Sequence, residues 1–72
     1  MKKNYRGFRI EVTREKSITG YKLIFYSAFR ISDRWCLSEG SRDSNQTVRE
    51  MMNETKETVD EYIKNPKEFE GN

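Results

Sequence analysis

Residues 21–31 run Tyr21-Lys22-Leu23-Ile24-Phe25-Tyr26-Ser27-Ala28-Phe29-Arg30-Ile31, and the reading of this stretch decides the fold. It is rich in aromatic and β-branched residues, and it is too short and too continuous for an amphipathic surface helix, so it reads as a strand. Just downstream, Ser32, Asp33 and Arg34 are turn formers, and Trp35 to Ser38 resume extended character until Glu39, Gly40 and Ser41 break it. A three-residue loop at 32–34 sets Ile31 opposite Trp35 and Phe29 opposite Leu37. Leu23, Phe25, Phe29, Ile31, Trp35 and Leu37 then share one face, the expected core, because a one-residue slip would move every side chain to the other side. A two-residue loop at Asp33 and Arg34 would instead put Trp35 and Leu37 beside Ser32 and Arg30, among polar neighbours.

Upstream, Phe8, Ile10 and Val12 alternate with Arg9, Glu11 and Thr13, the period of two that marks a half-buried strand. The polar run 14–20 ends on Gly20 and reads as the loop of a first hairpin. Beyond residue 44 the period changes to that of a helix. Val48, Met51, Met52, Thr55, Val59, Tyr62 and Ile63 form an apolar stripe along about four turns. Asp43, Ser44 and Asn45 are good N-caps, and Thr47 with Glu50 has capping-box form. Asp60 and Lys64 make a favourable i,i+4 pair, and Asn65 with Pro66 stops the helix.

The predicted fold is therefore α+β: a three-stranded antiparallel meander over about 5–13, 21–31 and 35–39, with one helix over about 45–65 packed on one face. Residues 1–66 form a single β-β-β-α domain and 67–72 a flexible tail. With 72 residues, of which 33% are hydrophobic, a second domain has no core to build on. One amphipathic helix covers one face of such a sheet, so the other is left open.

Composition removes several functions. There is no His, which takes away the usual general base and the commonest metal ligand. Cys36 alone can close no intrachain disulfide and build no thiolate cluster. The carboxylate pairs Glu50 with Glu54 and Glu57 with Glu61 read as solvated helix surface, and Gly20 and Gly40 as turn residues without a phosphate-loop pattern. No catalytic constellation, metal or cofactor is expected. The longest nearly apolar run, 23–31, is far short of the roughly 20 residues of a membrane span, and Lys2 and Lys3 lead into no signal-peptide core. A cytoplasmic location is the expectation.

The net charge of +2 conceals an asymmetry. Residues 1–36 hold nine Lys or Arg against three Asp or Glu, whereas residues 37–72 hold five against nine. Two readings follow. In the first, Ile24, Tyr26, Ala28 and Arg30 form a protein interface on the open sheet face, for a homodimer or a small protein partner. In the second, Arg9, Arg14, Lys16, Lys22, Arg30 and Arg34, interleaved with Tyr5, Tyr21 and Tyr26, hold phosphates and stack bases of a nucleic acid. Solvated strands whose charges guard against edge-to-edge aggregation would give the same pattern.

The opening Tyr5-Arg6-Gly7-Phe8, the long second strand, the short third one and Thr47-Val48-Arg49-Glu50-Met51-Met52 entering an acidic helix resemble small stand-alone bacterial β-β-β-α proteins. They also resemble the partial-RNase-H-like core of HicB-type antitoxins. The likeness spans about residues 5–65 and is one of pattern, without a diagnostic motif. It implies a core that docks a small toxin. Family members usually add a DNA-binding segment, and no helix-turn-helix or ribbon follows Ile63 here.

Overall fold

In the computed structural model, residues 1–16, 22–43 and 45–69 are described, with Lys16, Lys22, Glu68 and Phe69 described by their backbone alone. Several expected features lie outside the described residues: the end of the first loop at Gly20, the strand start at Tyr21, the N-cap candidate Ser44 and the last tail residues. The described strands are β1 (Lys2–Tyr5), β2 (Phe8–Lys16), β3 (Lys22–Arg30) and β4 (Cys36–Asp43); they are followed by helix α1 (Val48–Lys64) and a short helical turn, α2 (Pro66–Phe69). The strands form one antiparallel sheet in the order β1-β2-β3-β4. The α+β class with a C-terminal helix stands, but the sheet has four strands among the described residues rather than three.

The additional strand is β1. Lys2, Lys3 and Asn4 carry no apolar alternation, so nothing in their side chains announces a strand. Their order comes from backbone pairing, Lys2 with Glu11 through Tyr5 with Phe8. The connection is a two-residue turn in which Arg6 and Gly7 both adopt positive φ, 49° and 87°, the requirement of the tight hairpin turns whose twist matches that of the strands. At Gly7 a Cβ would meet no atom within 4 Å, so the cost of a side chain there is purely conformational. We expect Gly7→Ala to destabilise the domain by about 1 kcal/mol and to lower its Tm by about 5 °C in a calorimetric scan. An unchanged Tm would mean that this turn is not populated.

Phe8, Ile10 and Val12 are buried, as their alternation predicts, but the partner face of β3 is the opposite of the one expected. Phe8 pairs with Arg30, Ile10 with Ala28, Val12 with Tyr26 and Arg14 with Ile24, so even-numbered residues face even-numbered residues across the hairpin. Five residues, 17–21, separate the two strands, and an odd loop length enforces that parity. Ile24 and Ala28 are consequently buried at 0% exposure beneath the helix, while Phe25 and Ile31 stand in solvent at 36% and 48%.

The second hairpin reconciles this with a buried-side Trp35. From Leu23–Asp43 to Ala28–Ser38 the register is the one a three-residue loop implies, but between Ala28 and Phe29 it shifts, and Phe29 pairs with Cys36. The extra residue, Leu37, is a β-bulge. Beyond it Arg30 donates its backbone N–H to the Trp35 carbonyl at 2.7 Å. Trp35 and Leu37 thereby pack against the core, while Phe29 and Ile31 stay on the far face.

Helix α1 starts later than residue 45 because Thr47 is its N-cap. Thr47 Oγ1 accepts from the Glu50 N–H at 3.1 Å, and Glu50 Oε1 accepts from the Thr47 N–H at 3.0 Å, a complete capping box. The Thr47 backbone N–H first, and the Thr47 hydroxyl second, hold the Glu50 carboxyl below its ordinary value. Met51, Met52, Thr55, Val59 and Tyr62 are buried against Phe8, Ile10, Val12, Ile24 and Ala28. Asn65 caps the other end through its N–H to the Glu61 carbonyl at 2.9 Å. Pro66 then opens the short α2.

Candidate protein-docking face

The sheet face turned away from α1 is built from alternate residues of every strand, and the pairing aligns them in rows. The first row is Asn4, Arg9, Phe29 and Cys36, and the second is Lys2, Glu11, Ser27 and Glu39. The third is Thr13, Phe25 and Ser41, and the fourth is Glu15, Leu23 and Asp43. Among the described residues no element covers this face. Leu23, Phe25 and Phe29 run along it in one strand, and Ile31 continues the apolar line past the strand end.

Two shallow concavities lie over it. One, of about 540 Å³, is walled by Glu11, Thr13, Phe25, Ser27, Glu39 and Ser41 among others. The second, of about 320 Å³, lies over Asn4, Arg9, Glu11, Phe29, Ile31 and Arg34. Arg9 Nε is 3.8 Å from Glu11 Oε2, an exposed contact that contributes little. Arg34, held at φ 62° in the loop, adds positive charge at the first-row end, whereas Glu15 and Asp43 make the fourth-row end negative. Cys36 is an exposed residue, but partial desolvation of its thiol first and the Glu39 carboxylate second push its pKa up, so at neutral pH it carries its proton and is a poor nucleophile.

The interface residues read from sequence fall on the other side. Ile24 and Ala28 are core. Tyr26 is half-buried on the helix side, its ring lying over Gly40, where a Cβ would come within 2.8 Å of the phenol oxygen. Arg42 stacks on the same ring at 5.6 Å. Arg30 is turned toward α1, where it donates to Asp33 and Tyr62 and lies over Trp35. The uncovered face belongs instead to Leu23, Phe25, Phe29 and Ile31. Their apolar character is plain in the sequence, and the odd length of the first loop is the signal that would have placed them.

Among the described side chains, the basic residues of the second reading do not converge. Arg9 lies on the uncovered face, Arg14 and Arg30 share the helix side, and Arg34 sits in the β3–β4 loop. The backbones of Lys16 and Lys22 pair at the far end of the first hairpin, and their side chains lie outside the described residues. Part of the charge of sheet and helix is answered within the molecule. Arg6 Nη1 donates to Asp60 Oδ1 at 2.7 Å, and Arg42 Nη1 donates to Glu54 Oε1 at 3.2 Å. Gln46 also bonds to Glu54, and the Tyr5 hydroxyl donates to Asp60 at 2.9 Å. Arg6 first and Tyr5 second hold the Asp60 carboxyl below its usual range. Basic sheet and acidic helix thus answer one another across the packed layer.

Among the described residues no group of three Asp, Glu, Cys or His side chains could hold a metal ion. No described helix is long and apolar enough to cross a membrane. Searches of protein-family models, curated proteins and solved structures found no match to this chain.

Proposed function

We propose that the chain is a non-enzymatic interaction module that docks protein through the uncovered sheet face. The observation that supports this reading is the line Leu23, Phe25, Phe29 and Ile31, with Phe25 36% and Ile31 48% exposed on a face flanked by charges. Single exposed apolar residues are ordinary, but four on one face, interrupted only by the small Ser27 and rimmed by polar groups, are the usual mark of a binding surface. A small domain gains further reason to associate, because its own core hides only roughly 60% of the surface of the unfolded chain. The likeness in pattern to HicB-type cores, which dock a small protein, points the same way.

A photo-cross-linking amino acid placed at Phe25 in cells making the protein is expected to give covalent protein adducts. The same group at Glu57, on the exposed side of α1, is expected to give none. Equal adducts at both positions, or none at Phe25, would remove the support for this reading.

A further inference from the structure

We propose that the occupant of this face is a second copy of the same chain, stacked with its strands reversed about a two-fold axis that lies in the interface and runs across the strands. The inference rests on the reading of the uncovered face as a protein-docking surface and commits that surface to one partner. It follows from the order of charges and side-chain sizes along the rows.

Two copies can stack these faces symmetrically in two ways. If the axis runs along the strands through β3, β2 lies over β4 of the second copy. Glu11 then opposes Glu39 and Glu15 opposes Asp43, like charge on like, and Phe25 opposes Phe25. Moving that axis between β2 and β3 sets Arg9 on Phe29 and Glu15 on Leu23, which buries charges against apolar side chains. The first arrangement thus carries repulsion at the second and fourth rows, and the second a desolvation cost at the first and fourth.

With the axis across the strands, the first row lies over the fourth and the second over the third. Arg9 then meets Glu15 of the second copy, and the symmetry makes that pair twice. Phe29 meets Leu23, and Phe25 settles over the small Ser27, again twice. No like charges are opposed: Glu11 and Glu39 face the hydroxyls of Thr13 and Ser41, and Asp43 faces Cys36 at the β4 edge. Bulky side chains facing small ones and opposite charges facing each other are what an isologous interface requires of a single surface. Strands about 4.8 Å apart and about 3.3 Å per residue give the face a footprint of roughly 500 Å². Standard interfaces bury about 800 Å² on each partner, so the dimer is expected to be reversible rather than obligate.

Sedimentation equilibrium tests it. The wild-type chain should dimerise, and more weakly as sodium chloride is raised, because the Arg9–Glu15 pairs are screened. Arg9→Glu and Glu15→Arg should each weaken dimerisation at least about tenfold, since each sets two like-charge pairs face to face. The double variant, which restores both pairs with their signs exchanged, should recover the wild-type constant within about threefold. Phe25→Glu should be monomeric. A double variant as weak as the single ones overturns the proposed arrangement, and a wild type that stays monomeric at its highest soluble concentration overturns the second copy as occupant. Adducts at Phe25 to a different protein would then leave the docking reading standing, and their absence would remove both.

Discussion

Ile24→Glu is expected to unfold the domain, whereas Phe25→Glu, one residue further on, should leave it folded. Ile24 is wholly buried between Arg14 of the neighbouring strand and the helix layer, at 0% exposure. A carboxylate there would be taken out of water, and even with Arg14 and Arg42 as cross-strand neighbours its desolvation costs about 3–5 kcal/mol, to which the lost isoleucine packing adds about 2 kcal/mol. A 72-residue domain has a total stability of about 4–11 kcal/mol at 0.05–0.15 kcal/mol per residue. The substitution removes most or all of it. Phe25 is already 36% exposed beside Thr13 and Ser41, and a glutamate there keeps its charge in water, with an expected loss within about 1 kcal/mol. Circular dichroism melts of the two variants decide the matter. A folded Ile24→Glu with an unfolded Phe25→Glu would return the core to the face that carries Leu23, Phe25 and Phe29.

That contrast marks the limit of what the sequence discloses. The helix is legible because its signal is redundant: a stripe from Val48 to Ile63, of which Ile63 alone stands exposed, a Thr47–Glu50 box at one end and Asn65-Pro66 at the other. The buried face of β2 is legible for the same reason. The face of β3 is not, since Leu23, Phe25, Phe29 and Ile31 are at least as apolar as Ile24, Tyr26 and Ala28. Composition therefore favours the wrong side. What decides is the parity of the first loop, together with a bulge at Leu37 that turns Trp35 toward the helix without bringing Phe29 along. Neither leaves a mark in hydropathy. β1 is illegible on different grounds, because Lys2, Lys3 and Asn4 contribute backbone pairing ahead of a positive-φ turn and only Tyr5 packs against the core. The candidate site inherits these difficulties. Its residues stand out in the sequence as apolar, and only the register shows that they are outside.

Arg30→Ala is expected to cost about 2 kcal/mol and to lower the Tm by about 10 °C. The guanidinium makes a fork to Asp33, with Nε to Oδ1 at 2.9 Å and Nη2 to Oδ2 at 2.7 Å. Nη1 donates to the Tyr62 hydroxyl at 2.9 Å, and Cζ lies 5.1 Å from the Trp35 ring centre. Tyr62 in turn packs edge-on against Phe8 at 5.6 Å, so one side chain fastens the β3–β4 loop to the helix and to the core. The ion pair is solvent-facing, with Asp33 52% exposed, and is worth little by itself; the remainder comes from the Tyr62 bond and the stacking. Arg30→Lys should recover less than half, because an ammonium lacks the planar fork. A second readout separates the fork from general loosening. The Arg30 guanidinium, and after it the Trp35 N–H, hold the Asp33 carboxyl down from 3.8 to about 2. A depressed carboxyl contributes stability that is complete above its unfolded value and is lost as pH falls from near 4 toward 2. In Arg30→Ala the Asp33 titration followed by carbon NMR should move back toward 3.8, and the acid-induced loss across that window should shrink. An Asp33 curve that stays near 2 in the variant would mean that the Trp35 N–H alone positions this carboxylate, and that the fork contributes nothing to the loop.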